Sequence, residues 1–319
     1  AFDQFLQRES VNTRSQAAFD SARLDQLSLL EQVFAGGEQG VGYAAGEFLN
    51  AVVDMASHPQ DLASRQVVLS RASDLAARFK SAGEQLDAIQ TGVTDALRGA
   101  VARINDISTH IAQVNDRIAV AKGSGHTPND LLDQRDRLIS ELGSYMEVTT
   151  IPADDGTMSV FVGGGQRLVL GAQSLKLDLS PDPYDASRMA LGLVDASGTR
   201  ALPYTLVGAG SIGGLLRFQD DDLVHARTLL GQMASAMAAS VNTQQSLGLD
   251  LGVPPGVGAA LFRVGTPQAL PAQANARTGS GAFAANVTLT LIDASQLQAS
   301  EYSLAHNGTN WVLTRLADG

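Results

Sequence analysis

The sequence predicts an α+β protein that is mainly α: an elongated antiparallel helical bundle with one long helix, a small β insertion and an incomplete all-β domain at the C-terminal end. Three observations predict it. Apolar side chains at Leu75, Phe79, Ala82, Leu86, Ile89, Val93, Leu97, Ala100, Ile104, Ile107, Ile111, Val114 and Ile118 recur in steps of four and three, the seam of a helix packed on other helices. Between residues 146 and 207 the hydrophobic period changes from about 3.6 to 2, the signature of short strands. Beyond a glycine- and proline-rich loop over 248–265, strand-like alternation resumes.

Residues 1–34 read as a first helix, with Phe2, Phe5, Leu6, Phe19, Leu24, Leu27, Leu30 and Phe34 apolar at mostly helical steps. Its middle, over 8–16, is too polar to be deeply buried, and Gly36 and Gly37 end it. A second helix over 44–56 carries Phe48, Leu49, Val52 and Met55 and stops ahead of Pro59, because the residue before a proline avoids helical dihedrals. Pro59 is expected at the first position of the long helix, with Asp61 in its first turn favouring the dipole. No proline interrupts the run 61–119; Gly83, Gly92 and Gly99 each cost about 1 kcal/mol relative to alanine, yet the seam passes through all three. Two consecutive steps of four, Ile89 to Val93 to Leu97, form a stutter that relaxes any left-handed supercoil. The run of roughly 60 residues would span about 90 Å. That exceeds an ordinary compact domain, so the expected shape is elongated and the expected role architectural.

After a glycine break over 123–125 comes a well-punctuated helix, with Thr127 as N-cap, Pro128 at the first position, Asp130 three residues after the cap and Gly143 just past the end. Its core face is Leu131, Leu132, Arg135, Leu138, Ile139 and Leu142, and Asp133 and Arg137 are spaced to pair on the outside. Val148 and Thr150, then Met158, Val160 and Val162, alternate around Asp154, Asp155 and Gly156, a hairpin signal because Asp-Gly accepts positive φ. Further strands are predicted at 167–170, 175–179, 189–194 and 204–207, with turns at 182–187 and 195–198. A returning helix over 212–247 shows Leu216, Leu223, Leu230, Met233, Met237 and Val241 on one face and is expected to pack beside the long one. In the following loop Leu261 and Phe262 are its anchors. Strands are predicted at 287–292, 301–305 and 310–316, the last two joined through Asn307-Gly308. The domains are therefore 1–145 with 208–265, a discontinuous helical bundle; 146–207, a β insertion of hairpins; and 266–319, the start of an outer β domain that needs a partner layer.

A chain of 319 residues with 44% hydrophobic and 17% charged residues can bury a substantial core, and aromatics at 5% leave the packing to aliphatic side chains and alanine. A formal net charge of −11 without a basic stripe disfavours nucleic acid and anionic membrane as partners. The absence of cysteine excludes disulfides, thiolate metal sites and cysteine nucleophiles. No run approaches the length of a transmembrane helix, and no signal peptide is expected. Ala1 is not an initiator methionine and Gly319 directly follows a strand pattern, so a fragment of a longer chain is expected.

The sequence offers little chemistry. His58, His110, His126, His225 and His306 are far apart, with no second histidine at i+3 or i+4, so exposed or loosely packed histidines are expected rather than metal ligands. Gly163, Gly164 and Gly165 follow a strand and lead into Gln166-Arg167-Leu168 instead of a lysine-bearing helix, which makes them a turn, not a phosphate cradle. Asp220, Asp221 and Asp222 point in different directions on a helix and lack the calcium-loop pattern, so a solvated acidic face is expected. No G-x-S-x-G occurs, and the sequons at Asn286 and Asn307 are formal matches. No catalytic, cofactor-binding or metal residues are assigned.

The well-punctuated helix reads Asn129-Asp130-Leu131-Leu132-Asp133-Gln134-Arg135-Asp136-Arg137-Leu138-Ile139-Ser140-Glu141-Leu142, followed by a strand, Asp155-Gly156, and Gly165-Gln166-Arg167-Leu168-Val169-Leu170-Gly171. This resembles the FlgK family, hook-associated protein 1 of bacterial flagella. Three other stretches agree: Asp61-Leu62-Ala63-Ser64-Arg65, Gly210-Ser211-Ile212-Gly213-Gly214-Leu215-Leu216-Arg217-Phe218, and Val241-Asn242-Thr243-Gln244-Gln245 with Gly248-Leu249-Asp250. The similarity covers essentially the whole chain. Asn129, Leu131, Leu132, Asp133, Gln134, Arg135, Asp136 and Leu138 carry it as a structural signature.

The resemblance implies an elongated helical domain with outer β domains, and terminal helices, missing here, that form an inner coiled-coil tube. It implies a structural role without catalysis at the hook–filament junction, extracellular, reached through the flagellar type III secretion apparatus. The implied partners are copies of itself in a ring, the hook protein, hook-associated protein 3 and an export chaperone acting on the missing C-terminal region; without the terminal segments this fragment is expected to be a monomer. Two other readings compete: a secreted coiled-coil adhesin or ligand-binding module with β domains on a helical stalk, and an enzyme sited in the β insertion. Polar residues expected on the exposed faces of the first and long helices, such as Arg8, Arg14, Arg71, Arg78 and Arg98, suit plain solvation and lateral contacts equally.

Overall fold

The structure, a computed structural model, describes residues 4–124, 127–316 and 318. Phe2, Gly125 and His126 lie outside the described residues, as do the side chains of Phe5, Leu6 and Arg8. Four helices open the chain: α1 (Gln4–Val33), α2 (Val41–Ser57), α3 (Leu62–Gly123) and α4 (Asn129–Tyr145). Strands β1 (Val148–Pro152), β2 (Met158–Val162), β3 (Gln166–Leu170) and β4 (Gln173–Ser174) form an antiparallel sheet in sequence order. Strands β5 (Lys176–Pro181), β6 (Met189–Asp195) and β7 (Gly198–Ala201) form a second. Then come α5 (Tyr204–Val207), α6 (Ser211–Arg217), a π-helical segment (Phe218–Leu223) and α7 (Val224–Ser246). A long irregular stretch leads to the hairpin of β8 (Tyr302–His306) and β9 (Trp311–Arg315), joined through Asn307-Gly308 as expected. The chain divides into two compact units, Ala1–Ser28 with Gln90–Asp221, and Leu29–Ile89 with Asp222–Gly319.

The predicted long helix is one unbroken element of 62 residues. Gly83, Gly92 and Gly99 lie inside it with no neighbouring atom within 4 Å of the position a Cβ would take, so each costs only propensity. Every seam residue is buried or half-buried, with Leu97, Ile104, Ile107 and Ile111 fully enclosed. Its start differs from expectation. Pro59 precedes the helix, and Asp61 caps it: the carboxylate accepts from the Ser64 amide at 2.9 Å and the Ser64 hydroxyl at 2.6 Å. A cap satisfies amides that the first turn leaves without helical partners, a stronger reason for an aspartate here than the dipole alone. The same hydrogen bonds, the hydroxyl's first, hold the Asp61 carboxyl below its ordinary range.

In the first unit, α4 begins at Asn129, one residue later than predicted, and its N-cap is Pro128, whose carbonyl accepts from Leu131 and Leu132 at 3.1 Å; Thr127 does not cap it. Gly143 does not end α4, which continues to Tyr145. The glycine is there for packing: a Cβ on it would lie 2.6 Å from Cγ1 of Val11 on α1. The polar middle of α1 is mostly exposed, but Ser15 is buried, its carbonyl accepting from the Gly210 amide at 2.9 Å, and Arg14 donates to Ser140 at 2.6 Å. On the same face of α1, the Phe19 carbonyl lies where a Cβ on Gly214 would be. Residues 204–207 were expected as a strand and form a helical turn, because the Pro203 carbonyl accepts from Leu206 at 2.9 Å and Val207 at 3.2 Å. This turn buries Val207 completely.

The returning helix has the predicted extent but passes through the π segment. Phe218 and Leu223, five apart, are both fully buried there, a spacing that a π turn aligns better than an α turn. The wider turn also corrects the reading of the acidic run: Asp220 is half-buried, not solvated, and burial raises its pKa. Asp221 is exposed, accepting from the Tyr204 hydroxyl at 3.2 Å.

In the second unit the core joins α2, the first part of α3, α7 and the loop after it. Ala44, Phe48, Ala51, Val68, Ala72 and Leu75 are buried together, with Met237, Val241, Leu261 and Phe262 packed against them. Phe48 and Phe262 meet edge to face at 5.4 Å, so the predicted loop anchors hold. Several residues read as lying on apolar helix faces turn outward instead: Leu49 is 53% exposed, Met233 47% and Phe34 41%, and in the first unit Leu24 is 62% exposed. On α2 the inward stripe runs Ala44, Phe48, Ala51, Met55, which leaves position 49 on the far side. The predicted strand over 287–292 does not form. Its one ladder contact is the bridge between Thr288 and Gln268, and Val287, Leu289, Leu291 and Ile292 are all exposed.

Candidate functional site

The signature helix α4 is built as a seat for the β1–β2 hairpin. Leu131, Leu132 and Leu138 are half-buried, Ile139 and Leu142 are buried, and Asp133 and Gln134 face solvent. Asn129 opens the helix, its amide donating to the Thr127 carbonyl at 3.1 Å. Arg135 is buried among these leucines and extends Nη1 to the Gly156 carbonyl at 2.9 Å, while Asp136 takes its other edge at 3.4 Å. Arg137 meets Asp133 through the backbone carbonyl, Nε to oxygen at 3.2 Å, in place of the predicted carboxylate pair.

The hairpin tip is tied from two more directions. Lys122 at the end of α3 donates to the Asp154 carbonyl at 2.9 Å, and Asp155 accepts from the Thr157 hydroxyl at 2.7 Å and amide at 2.9 Å. Those bonds, the hydroxyl's first, with Lys122 nearby, hold the Asp155 carboxyl below its ordinary range. The turn itself is closed by Gly156, whose φ is +88°.

Side-chain amides do the rest of the docking, each pairing with a strand or loop backbone as another strand would. Asn115, fully buried on α3, accepts from the Met158 amide at 3.1 Å and donates to the carbonyls of Met158 at 2.8 Å and Gly171 at 2.9 Å. It fills the place where β3 has ended at Leu170 and leaves Met158 without a partner strand on that side. Asn105, also on α3, binds both the amide and the carbonyl of Leu177 on β5, at 2.8 and 3.0 Å. Gln219 of the π segment does the same for Met189 on β6, both at 3.0 Å, and its oxygen also receives the Gln90 amide at 3.1 Å. In the second unit Asn242 accepts from the Leu261 and Phe262 amides and donates to the Phe262 carbonyl at 2.8 Å. The sequence reading missed all of these. The available signal was an amide next to a seam position, as Asn115 is beside Val114 and Asn105 beside Ile104.

The family model for the flagellar hook-associated protein FlgK helical domain matches residues 27–262, and that for the flagellar hook-associated protein 1 D2-like domain matches 273–319. The chain belongs to the FlgK family. It is 31% identical to flagellar hook-associated protein 1 of Salmonella typhimurium, over 99% of this chain and 57% of that protein, and equally to that of Escherichia coli. The flagellar hook junction protein FlgK from Burkholderia pseudomallei superposes with a TM-score of 0.85 at 30% identity, covering 98% of this chain and 55% of that one. The chain thus spans a little over half the length of these FlgK relatives.

Nothing among the described residues of this FlgK-family chain gathers the other candidate residues into one site. His58, His110, His225 and His306 are exposed on separate elements, and among the described residues no group of three or more histidines and carboxylates could hold a metal ion. Gly163, Gly164 and Gly165 form the β2–β3 turn, all with positive φ. A groove of about 420 Å³ in the second unit is lined in part by Glu47, Arg71, Asp74 and Arg78, and Arg71 lies 3.1 Å from Glu47 and 3.8 Å from Asp74. Among the described residues no helix is long and apolar enough to cross a membrane.

Proposed function

We propose that this chain is the helical domain and the beginning of an outer domain of a protein that joins hook to filament in the bacterial flagellum, acting as a structural subunit without catalysis. The observation that carries the proposal is the match of the FlgK helical domain across residues 27–262, together with similarity to flagellar hook-associated protein 1 over 99% of the chain. Family membership favours this reading over an adhesin. Within it, the subunit repeats as a ring of copies, meets the hook protein on one side and hook-associated protein 3 on the other, and reaches the cell exterior through the flagellar type III secretion apparatus with the help of an export chaperone. A chain without cysteine suits passage in an unfolded state.

The division into a helical bundle of 1–145 with 208–265, an insertion of 146–207 and an outer β domain from 266 belongs to the same proposal. So does the structural role of Asn129, Leu131, Leu132, Asp133, Gln134, Arg135, Asp136 and Leu138, supported by the seating of Arg135 on Gly156. Deletion of the gene in its own host tests the function. The expected result is hooks without filaments, filament subunits shed into the medium, and recovery when the gene is restored. Filaments of normal length on the deleted strain would overturn it.

A further inference from the structure

The turn of the β8–β9 hairpin holds the one asparagine in the sequence that is followed by glycine, Asn307-Gly308, and its neighbours are arranged as a small acyl-transfer site. The Gly308 amide donates to Nδ1 of His306 at 3.2 Å. The side-chain oxygen of Asn307 accepts from two backbone amides, Thr309 at 3.0 Å and Asn310 at 2.8 Å. The His306 ring is held edge to face against Trp311 at 5.2 Å, and residues 306–310 are exposed to solvent.

We propose that Asn307 is a self-modification site, converted through a succinimide to aspartate and isoaspartate, with His306 as general base. The Gly308 nitrogen bonds to Cγ of Asn307 as its proton passes to Nδ1 of His306. Charge developing on the side-chain oxygen is met by the two backbone N–H groups, the role of an oxyanion hole. The bond from Cγ to Nδ2 then breaks, the imidazolium returns the proton, and ammonia departs. Water opens the five-membered ring at either carbonyl. Opening at one gives aspartate; opening at the other gives isoaspartate, with an extra methylene in the main chain of the turn. Either product adds a negative charge beside the end of the strand ladder, where His306 faces Trp311.

The hairpin restrains the backbone rotation that ring closure needs, and the contacts above oppose that restraint, so the comparison that decides is folded against unfolded. This inference does not depend on the flagellar reading. The purified chain is held at neutral pH and 37 °C, folded or in urea, and the peptide containing Asn307 is followed by mass spectrometry for loss of ammonia, then for the gain of one mass unit, with isoaspartate detected by enzymatic methylation. The expected result is conversion several-fold faster in the folded chain, and about tenfold slower in folded His306→Asn, which keeps an acceptor but no base. Amide hydrogen exchange along 302–305 and 312–315, the part of the strand ladder beyond the substituted pair, reports whether the variant hairpin is intact. Folded conversion no faster than unfolded, or an intact His306→Asn hairpin converting at the wild-type rate, would overturn the proposal.

Discussion

Replacing Asn115 by alanine isolates the contribution of one amide clamp. The side chain is fully buried and serves three backbone groups, the Met158 amide and the carbonyls of Met158 and Gly171. A buried group left without a partner costs about 1–3 kcal/mol. The vacated space can admit water, which argues for the low end at each, so the substitution is expected to cost about 3 kcal/mol in all. That corresponds to roughly a 100-fold change in an opening equilibrium. Amide hydrogen exchange at Met158 measures it, because this proton reports the clamp directly whether or not the chain unfolds in one step. Thr109→Ala, on an exposed face of the same helix, serves as the control and should change stability by less than about 0.5 kcal/mol. If Met158 exchanged less than about tenfold faster in Asn115→Ala than in the wild type, the idea that this amide completes the sheet would be refuted.

Other substitutions test other parts of the argument. Gly143→Ala should destabilise the chain by about 1–3 kcal/mol despite its better helix propensity, since the new methyl would meet Val11 at 2.6 Å. Val11→Ala in the same chain should recover most of that loss in a urea titration, and a lack of coupling would show that the two helices do not meet there. Asp220 has a folded pKa raised chiefly by burial, so its contribution is most favourable at low pH and declines as pH rises from the ordinary aspartate range through the raised value. Asp220→Asn should therefore be more stable than the wild type near neutral pH, and the gap should close on acidification; a gap independent of pH would contradict the assignment. Asp61 has the opposite sign. Its folded pKa is lowered, so the capping contribution exists above the ordinary aspartate range and is lost as pH falls through the lowered value, and Asp61→Ala should differ least from the wild type in acid.

Much of the helical framework was legible because it depends on spacing along one chain. The seam from Leu75 to Ile118 required nothing but its own period, and α3 follows it without a break. The Asp-Gly and Asn-Gly turns were legible for the same reason, since positive φ at Gly156 and Gly308 is a local demand. Gly143 misled because a glycine at a helix end and a glycine under a neighbouring helix look alike in sequence; the choice lay with Val11, far away in the chain. Residues 204–207 misled because four residues are too few for a period to declare itself, and the Pro203 carbonyl decided between strand and turn. Of the candidate site, the signature helix was readable as a motif, but what Arg135 does there was not.

The sequence by itself determined where the helices run, where the period shifts to strands and which family the chain resembles, since periodicity, turn residues and motif order are all carried by neighbours. Only the tertiary structure decided which polar side chains are enclosed. Asn115 serves a strand 43 residues away and Asn105 one 72 residues away. Burying an amide costs free energy unless a distant backbone supplies its hydrogen bonds, and whether that backbone arrives is a property of the folded chain.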